Sequence, residues 1–293
     1  MRQMALFEDS SWKKDKIVNV ASVPQRSPFR YPGGKTWLVP QIRHWLGGKK
    51  KRPAEFIEPF AGGAITGLTV AFERLAKHVI LFELDADVAS VWQTILGGDG
   101  EWLAKKIVSF ELTQDNAQEV LSSSPKSLKD RAFQTILKNR VCHGGILAHG
   151  AGLIKNGENG KGIKSRWYPE TLKKRILNIV AIRDRIAFVQ GDGIEIIREK
   201  RSCHDSVFFI DPPYTAGGKR AGTRLYTHCD LDHAELFRVV SKLKGDFLMT
   251  YDNADEIRDL AQQHKFQVRE IAMKNTHHAK MNELLISRDL SWL

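Results

Sequence analysis

Cysteine is scarce in this chain. Its 293 residues hold three, Cys142, Cys203 and Cys229, odd in number and without C-x-x-C spacing. That excludes a disulfide framework and a cysteine zinc site, and the thiols read as free in a reducing compartment. No apolar run approaches the length that spans a bilayer. No lipidation motif or basic amphipathic anchor stands out either, so no membrane partner is expected. The first residues, M-R-Q-M-A-L-F-E-D-S, carry charge too early and too evenly for a secretory leader. Acidic residues are short as well: 34 against 45 basic ones leave a net charge of +11 and a pI near 9.5. A protein this basic is matched to a polyanion, with nucleic acid the leading candidate. The hydrophobic fraction of 42% suffices for a sizeable core, and the length allows one large α/β domain with an insertion.

The most specific stretch is Ser206–Tyr214, S-V-F-F-I-D-P-P-Y. Val207–Ile210 suit a strand buried on both faces. Pro212 and Pro213 cannot donate to a sheet ladder, so the strand ends at Asp211. A carboxylate, a stiff backbone and the ring of Tyr214 then stand at the carboxyl end of a strand, where open α/β sheets bind ligands. The Asp211 side chain and the Pro212 carbonyl are two acceptors held close together. They suit an exocyclic NH₂, which has two hydrogens to donate, and Tyr214 offers a face on which a base can stack. Accepting both hydrogens takes the nitrogen lone pair out of conjugation and aims it at an activated methyl group. The plainer alternative is a tight turn with Tyr214 packed on the prolines.

Upstream, Ser27–Thr36 (S-P-F-R-Y-P-G-G-K-T) makes a glycine turn, and Trp37, Leu38, Ile42, Trp45 and Leu46 follow at helical spacing. The free N–H groups of such a helix start can face an anion, with Lys35 adding a full charge. It is not a P-loop, because the glycine five residues back is missing. Ala54–Phe60 reads as a short buried strand. A small-residue turn follows at 61–64, then a helix at 65–75 and a strand, His78–Glu83. Glu83 falls 21 positions after Gly62. A strand, a glycine turn, a helix and a strand ending in an acid form a nucleoside-binding βαβ half, with the acid on the ribose hydroxyls. Small residues at the turn let a ligand approach the backbone. The glycine pattern is not the dinucleotide G-x-G-x-x-G, which disfavours NAD.

The pattern changes at Gly97. Helices are expected at 87–96, 101–108, 115–121 and 128–139, then a long mobile loop through the glycine-rich stretch 144–162. Residues 155–185 carry nine Lys/Arg against three Asp/Glu. Lys164, Arg166, Trp167 and Tyr168 precede a basic helix at 170–185 that includes Lys173, Lys174 and Arg175. Basic and aromatic residues interleaved in this way suit a phosphate backbone and stacked bases; a solvated helix face is the alternative. The sheet resumes with a strand at 187–192 ending in Asp192. Residues 215–230, with Lys219 and Arg220, read as a flexible lid beside Asp211. Next come a helix at 231–243 that Asp230 could cap, a strand at 246–251, a helix at 254–262, and a closing pair of strands at 266–273 and 283–287. His277 and His278, in the turn between that pair, read as exposed rather than metal-bound. Residues 1–26 read as a tail.

In this order the motifs resemble those of the Dam-like, D12 class of N6-adenine-specific DNA methyltransferases. Tyr31-Pro32-Gly33-Gly34-Lys35 is similar to the family's N-terminal motif, Glu58-Pro59-Phe60-Ala61-Gly62-Gly63 to its cofactor loop, and Asp211-Pro212-Pro213-Tyr214 to its catalytic motif. Glu83 stands where many members have Asp, and Asp192 at the next cofactor-side acid. The resemblance implies a Rossmann-like α/β sheet, residues 27–96 and 186–293, that binds S-adenosylmethionine. Residues 97–185 would form a mostly helical target-recognition insertion. It implies that Tyr31, Gly34, Lys35, Glu58, Phe60, Gly62, Gly63, Glu83, Asp192 and Asp211 line the cofactor. A flipped adenine of double-stranded DNA would reach Asp211. Lys164, Arg166, Lys173, Lys174, Arg175, Lys219 and Arg220 would contact DNA. The choice of adenine over cytosine rests on this resemblance, because the two acceptors do not make it. No metal is implied. A monomer or weak dimer, cytoplasmic and nucleoid-associated, encoded by a bacterium or phage and with room for a cognate restriction endonuclease as partner, completes the expectation. The alternatives are an RNA adenine methyltransferase and a non-catalytic DNA-binding protein on the same scaffold. A protein-glutamine methyltransferase would show Asn rather than Asp at position 211.

Overall fold

The structure is a computed structural model that describes residues 22–31, 33–148, 151–213, 231–274 and 280–293. Seven strands form one sheet in the order β3-β2-β1-β4-β5-β7-β6. They are β1 (Glu55–Glu58), β2 (His78–Glu83), β3 (Ile186–Gln190), β4 (Ser206–Ile210), β5 (Asp246–Asp252), β6 (Gln267–Lys274) and β7 (Lys280–Ser287). Strands β1 to β5 are parallel, and β7 enters antiparallel between β5 and β6. The order reverses between β1 and β4, which places a crevice at their carboxyl ends. β4 is buried along its whole length, as its apolar run requires of a strand covered on both faces. The tight registers Ile57–Phe208 and Phe208–Phe247 lock it between β1 and β5.

Helices cover both faces: α1 (Val39–Gly47), α2 (Ile65–Glu73), α3 (Ala86–Thr94), α8 (Gly193–Glu199), α9 (His233–Val240) and α10 (Asp255–Gln263), with α4 (Gly100–Ser109), α5 (Gln114–Ser122), α6 (Leu128–Val141) and α7 (Pro169–Val180) falling within residues 97–185. Those four helices share their core with the sheet. Leu103, Ile107, Ile136, Leu172 and Ile176 belong to one buried apolar cluster with Leu68, Leu81 and Trp92. Where described, the glycine-rich stretch after α6 is tied down rather than loose. Cys142 and Leu153 form an antiparallel bridge, His143 N donates to Gly152 O at 3.0 Å and Ile154 N to Val141 O at 2.8 Å. The basic helix is shorter than its charge pattern implied, because α7 ends at Val180 and a 3-10 turn takes over at Arg183. The cap of α9 is Asp232, whose side chain accepts from Glu235 N; the expected cap Asp230 lies outside the described residues. So do the tail up to residue 21, the lid and the 277–278 histidines. Among the described residues no helix is long and apolar enough to cross a membrane.

Candidate active site

Asp211 follows β4 directly, as the prolines dictate. Two donors hold its Oδ1: Lys35 Nζ at 3.0 Å and the hydroxyl of Thr250 on β5 at 2.6 Å. Lys35 is 3% exposed, donates also to Gly33 O at 2.8 Å and lies 3.5 Å from Glu283 of β7. The glycine turn Gly33-Gly34 thus presents its lysine to an internal anion, which revises the expectation of an open anion site at a helix start. The first turn is also 3-10, Thr36–Leu38, and α1 begins only at Val39. Below Asp211 lies Glu58, the last residue of β1 and 3% exposed. Its Oε2 accepts from Gly67 N at 2.9 Å, and burial pushes its carboxyl well above the usual range, with the charge of Asp211 adding to the rise. Gly67 is required there, because a Cβ would stand 2.5 Å from that oxygen. Beside this group, the buried Tyr251 hydroxyl lies 3.1 Å from His233 Nδ1.

The second half of the crevice is the turn between β1 and α2. Gly62 N donates to Glu83 Oε2 at 2.8 Å and Asp85 N to Oε1 at 2.9 Å. The 21-residue spacing therefore joins the glycine turn to the acid at the end of β2, as a nucleoside-binding half requires. Burial outweighs these two donors and raises the Glu83 carboxyl to about 7. The buried Trp92 holds the turn from below, donating Nε1–H to Gly62 O at 2.9 Å. Ala64 completes the turn at φ 49°, a left-handed conformation that costs a non-glycine residue about 1–2 kcal/mol. The open backbone expected at Gly62 and Gly63 is covered by Tyr31. A Cβ on Gly62 would meet its ring at 2.5 Å and one on Gly63 its Cβ at 2.8 Å. These glycines seat an aromatic ring rather than expose bare backbone. Phe60 packs against Gly193, the residue after Asp192, and Asp192 caps α8 by accepting from Ile194 N and Glu195 N.

The structure links Lys35 to Asp211, and Tyr31, Gly62, Gly63 and Glu83 to one another, at the carboxyl ends of the central strands, with Glu58 within reach of the charge of Asp211 and Phe60 against Gly193. Gly34 belongs to the same turn, its N–H donating to Tyr31 O at 3.1 Å. Pro212 and Pro213 follow Asp211 within the described residues; Tyr214, Lys219 and Arg220 lie outside them. The basic residues of the insertion divide. Lys164 and Lys174 are exposed, and Lys173 stands 3.6 Å from Glu170. Arg175 turns inward and donates to Ser27 O at 3.0 Å, and burial lowers its pKa. Arg166 is partly buried. Sequence reasoning missed Thr250, Glu283, Trp92, Asn139, Arg30 and Arg140. For Arg140 a signal existed, because it continues the apolar face Phe133, Ile136, Leu137 at helical spacing.

The donor set fits a nucleoside. An acid at the end of β2 can accept ribose hydroxyls, and an aromatic ring and a small-residue turn flank it. Among the described residues no group of three or more His, Cys, Asp or Glu side chains is arranged to hold a metal ion.

Residues 31–276 match the family described as D12 class N6 adenine-specific DNA methyltransferase. The chain is 25% identical over 294 residues to a DNA N-6-adenine-methyltransferase of Escherichia phage P1, covering 97% of this chain and 37% of that protein. It therefore spans little more than a third of the phage protein. It is 22% identical over 234 residues to the Type II methyltransferase M.CviBI of Paramecium bursaria Chlorella virus NC1A, covering 79% of this chain and 84% of that one. Similar solved structures include the rRNA methyltransferase aviRa from Streptomyces viridochromogenes, with a TM-score of 0.40, 14% identity and coverage of 88% and 86%. A methyltransferase from Geobacter sulfurreducens has a TM-score of 0.39, 11% identity and coverage of 88% and 80%. TM-scores this low add nothing to the topology already described.

Proposed function

The chain belongs to the D12 class of N6 adenine-specific DNA methyltransferases, and from that membership we propose that it methylates the exocyclic nitrogen of a flipped adenine in double-stranded DNA. The observation that carries the reading is the carboxylate of Asp211, fixed by Lys35 and Thr250 at the end of β4 and followed by two prolines. S-adenosylmethionine supplies an electrophilic methyl group. Asp211 and the Pro212 carbonyl would accept the two amino hydrogens and orient the nitrogen lone pair; as the N–C bond forms the C–S bond would break, leaving S-adenosylhomocysteine, and the surplus proton would pass through Asp211 to solvent. Lys35 and Thr250 keep the carboxylate from turning away. Glu83 would hold the ribose, Tyr31 and Phe60 would flank the cofactor, and Gly34, Glu58, Gly62, Gly63 and Asp192 would shape its seat. Tyr214 would stack on the base.

Residues 97–185 would read the DNA, with Lys164, Arg166, Lys173, Lys174 and Arg175 of that stretch, and Lys219 and Arg220 beyond it, on the phosphates. A cytoplasmic, nucleoid-associated protein, monomeric or weakly dimeric, fits this role, and the Type II relative makes a cognate restriction endonuclease a natural partner. Replacing Asp211 by Ala tests the reading. Methyl transfer from labelled S-adenosylmethionine should vanish while DNA affinity holds within about threefold, because phosphate contacts dominate affinity. Wild-type turnover by that variant would overturn the assignment.

A further inference from the structure

Four guanidinium groups converge where the insertion meets the N-terminal motif. Arg30 precedes Tyr31, Arg140 lies in the last turn of α6, Arg166 ends the 3-10 turn before α7, and Arg175 is in α7 itself. They are close enough to perturb one another. Burial first, then Arg166, lowers the pKa of Arg30. Burial, followed by Arg175 and Arg30, brings Arg140 down to about 9. Arg140 is only 4% exposed. Two of the four groups reach neutral carbonyls of one short segment: Arg140 donates to Pro28 O, and Arg175 to Ser27 O at 3.0 Å. Among the described residues Arg30, Arg140 and Arg175 form no ion pair with a carboxylate. Arg30 Nη1 and Arg140 Nε are buried and lack any hydrogen-bond partner.

Burying Arg30, Arg140 and Arg175 beside one another without a counter-charge among the described residues is unfavourable. The site is nevertheless held rigidly. Asn139, fully buried, accepts from Arg30 N at 2.8 Å and donates to Arg30 O at 2.9 Å and Gly145 O at 2.7 Å. Gly145 must be glycine, because it adopts φ 77° and any Cβ would collide with Arg30 O. A preorganised group of guanidiniums with donors to spare is matched to a tetrahedral oxyanion.

We propose that Arg30, Arg140, Arg166 and Arg175 form a seat for one backbone phosphate of the DNA substrate. The inference rests on the DNA reading above and adds Arg30 and Arg140 to it. Tyr168, half-exposed and near enough to act on both Arg30 and Arg140, stands at the rim. Arg30 directly precedes Tyr31, whose ring lies against Gly62 and Gly63, so the seat adjoins the N-terminal motif. The seat also joins α6, α7 and the N-terminal motif, so DNA binding would tighten the contact between reader and catalytic sheet.

The distinguishing property is that an anion seat strains the protein until it is filled. Arg30→Gln removes one charge from the cluster and keeps the main-chain contacts to Asn139. Thermal unfolding without DNA should give a Tm equal to or above wild type. Duplex affinity by anisotropy should fall about tenfold, and the slope of log affinity against log salt should shrink by about one. A scan of duplexes, each with a single neutral methylphosphonate, should find one position that weakens wild type about tenfold and adds nothing to the Arg30→Gln defect. The seat is overturned if Arg30→Gln lowers Tm and leaves affinity and salt slope unchanged, since the arginine is then a structural prop. It is equally overturned if the scan on wild type is flat, a result that needs no variant to fold. A wild type that binds no duplex at low salt would bring down the DNA reading itself, an outcome distinct from either of these.

Discussion

A valine at position 250 keeps the volume of the threonine and deletes the hydroxyl that holds Asp211. Thr250 is fully buried, and its Oγ1 donates at 2.6 Å to the oxygen that Lys35 also contacts at 3.0 Å. A hydrogen bond to a charged acceptor contributes about 1.5–3 kcal/mol. Without it the carboxylate keeps one of these two restraints and spends more time in orientations that do not meet an amino group. If the whole amount appears in the barrier, kcat falls about 10- to 150-fold. The Michaelis constant for S-adenosylmethionine should hardly move, because β1 and β4 separate Thr250 on β5 from Glu83 at the end of β2. Single-turnover transfer of a labelled methyl group at saturating DNA and cofactor reads the chemical step directly. Thr250→Ser restores the donor and should recover the rate to within about threefold of wild type. A valine variant with wild-type Tm and wild-type single-turnover rate would refute the reasoning, leaving Lys35 as sufficient to fix the carboxylate.

Two further predictions concern charge. Glu83, raised to about 7 by burial, keeps its proton in the folded chain at pH values where the unfolded chain, near 4.5, has lost it. Its contribution therefore weakens the fold as pH rises from about 4.5 to about 7, and the loss is complete above that window. Ribose hydroxyls donate to the ionised form, so calorimetry should show cofactor affinity improving up to about tenfold per pH unit below 7 and levelling above it. A flat profile would remove Glu83 from the cofactor site. Lys35→Met leaves the carboxylates of Asp211 and Glu283 without the cation between them, and breaking such a buried pair costs about 3–5 kcal/mol. Urea unfolding should record that loss together with a collapse of activity.

The strands and the acids at their ends were readable because each carries its own local signal. An apolar run stopped by two prolines suits a buried strand that ends there, and a glycine turn followed at βαβ distance by Glu83 suits a turn that closes on that acid. Lys35 was legible as functional but not in its direction, since nothing local says that the glycine turn points at Asp211. Thr250 was hidden because threonine in D-F-L-M-T-Y reads simply as a strand former. Its role exists only through the β4–β5 register, in which Phe209 pairs with Leu248. Arg30 and Asn139 are 109 residues apart, so no pattern of neighbouring residues joins them. The inward turn of Arg175 was likewise invisible, because a charge count treats Lys173, Lys174 and Arg175 alike while helical geometry sends them in different directions.

The central claim is that the amino group of adenine in duplex DNA receives the methyl group. Its most direct test is to incubate the protein with duplex DNA and deuterium-labelled S-adenosylmethionine, digest the DNA to nucleosides and identify the product by mass spectrometry. The account predicts labelled N6-methyldeoxyadenosine, absent from the Asp211→Ala reaction. Labelled N4-methyldeoxycytidine, or label that enters RNA and leaves DNA untouched, would contradict it.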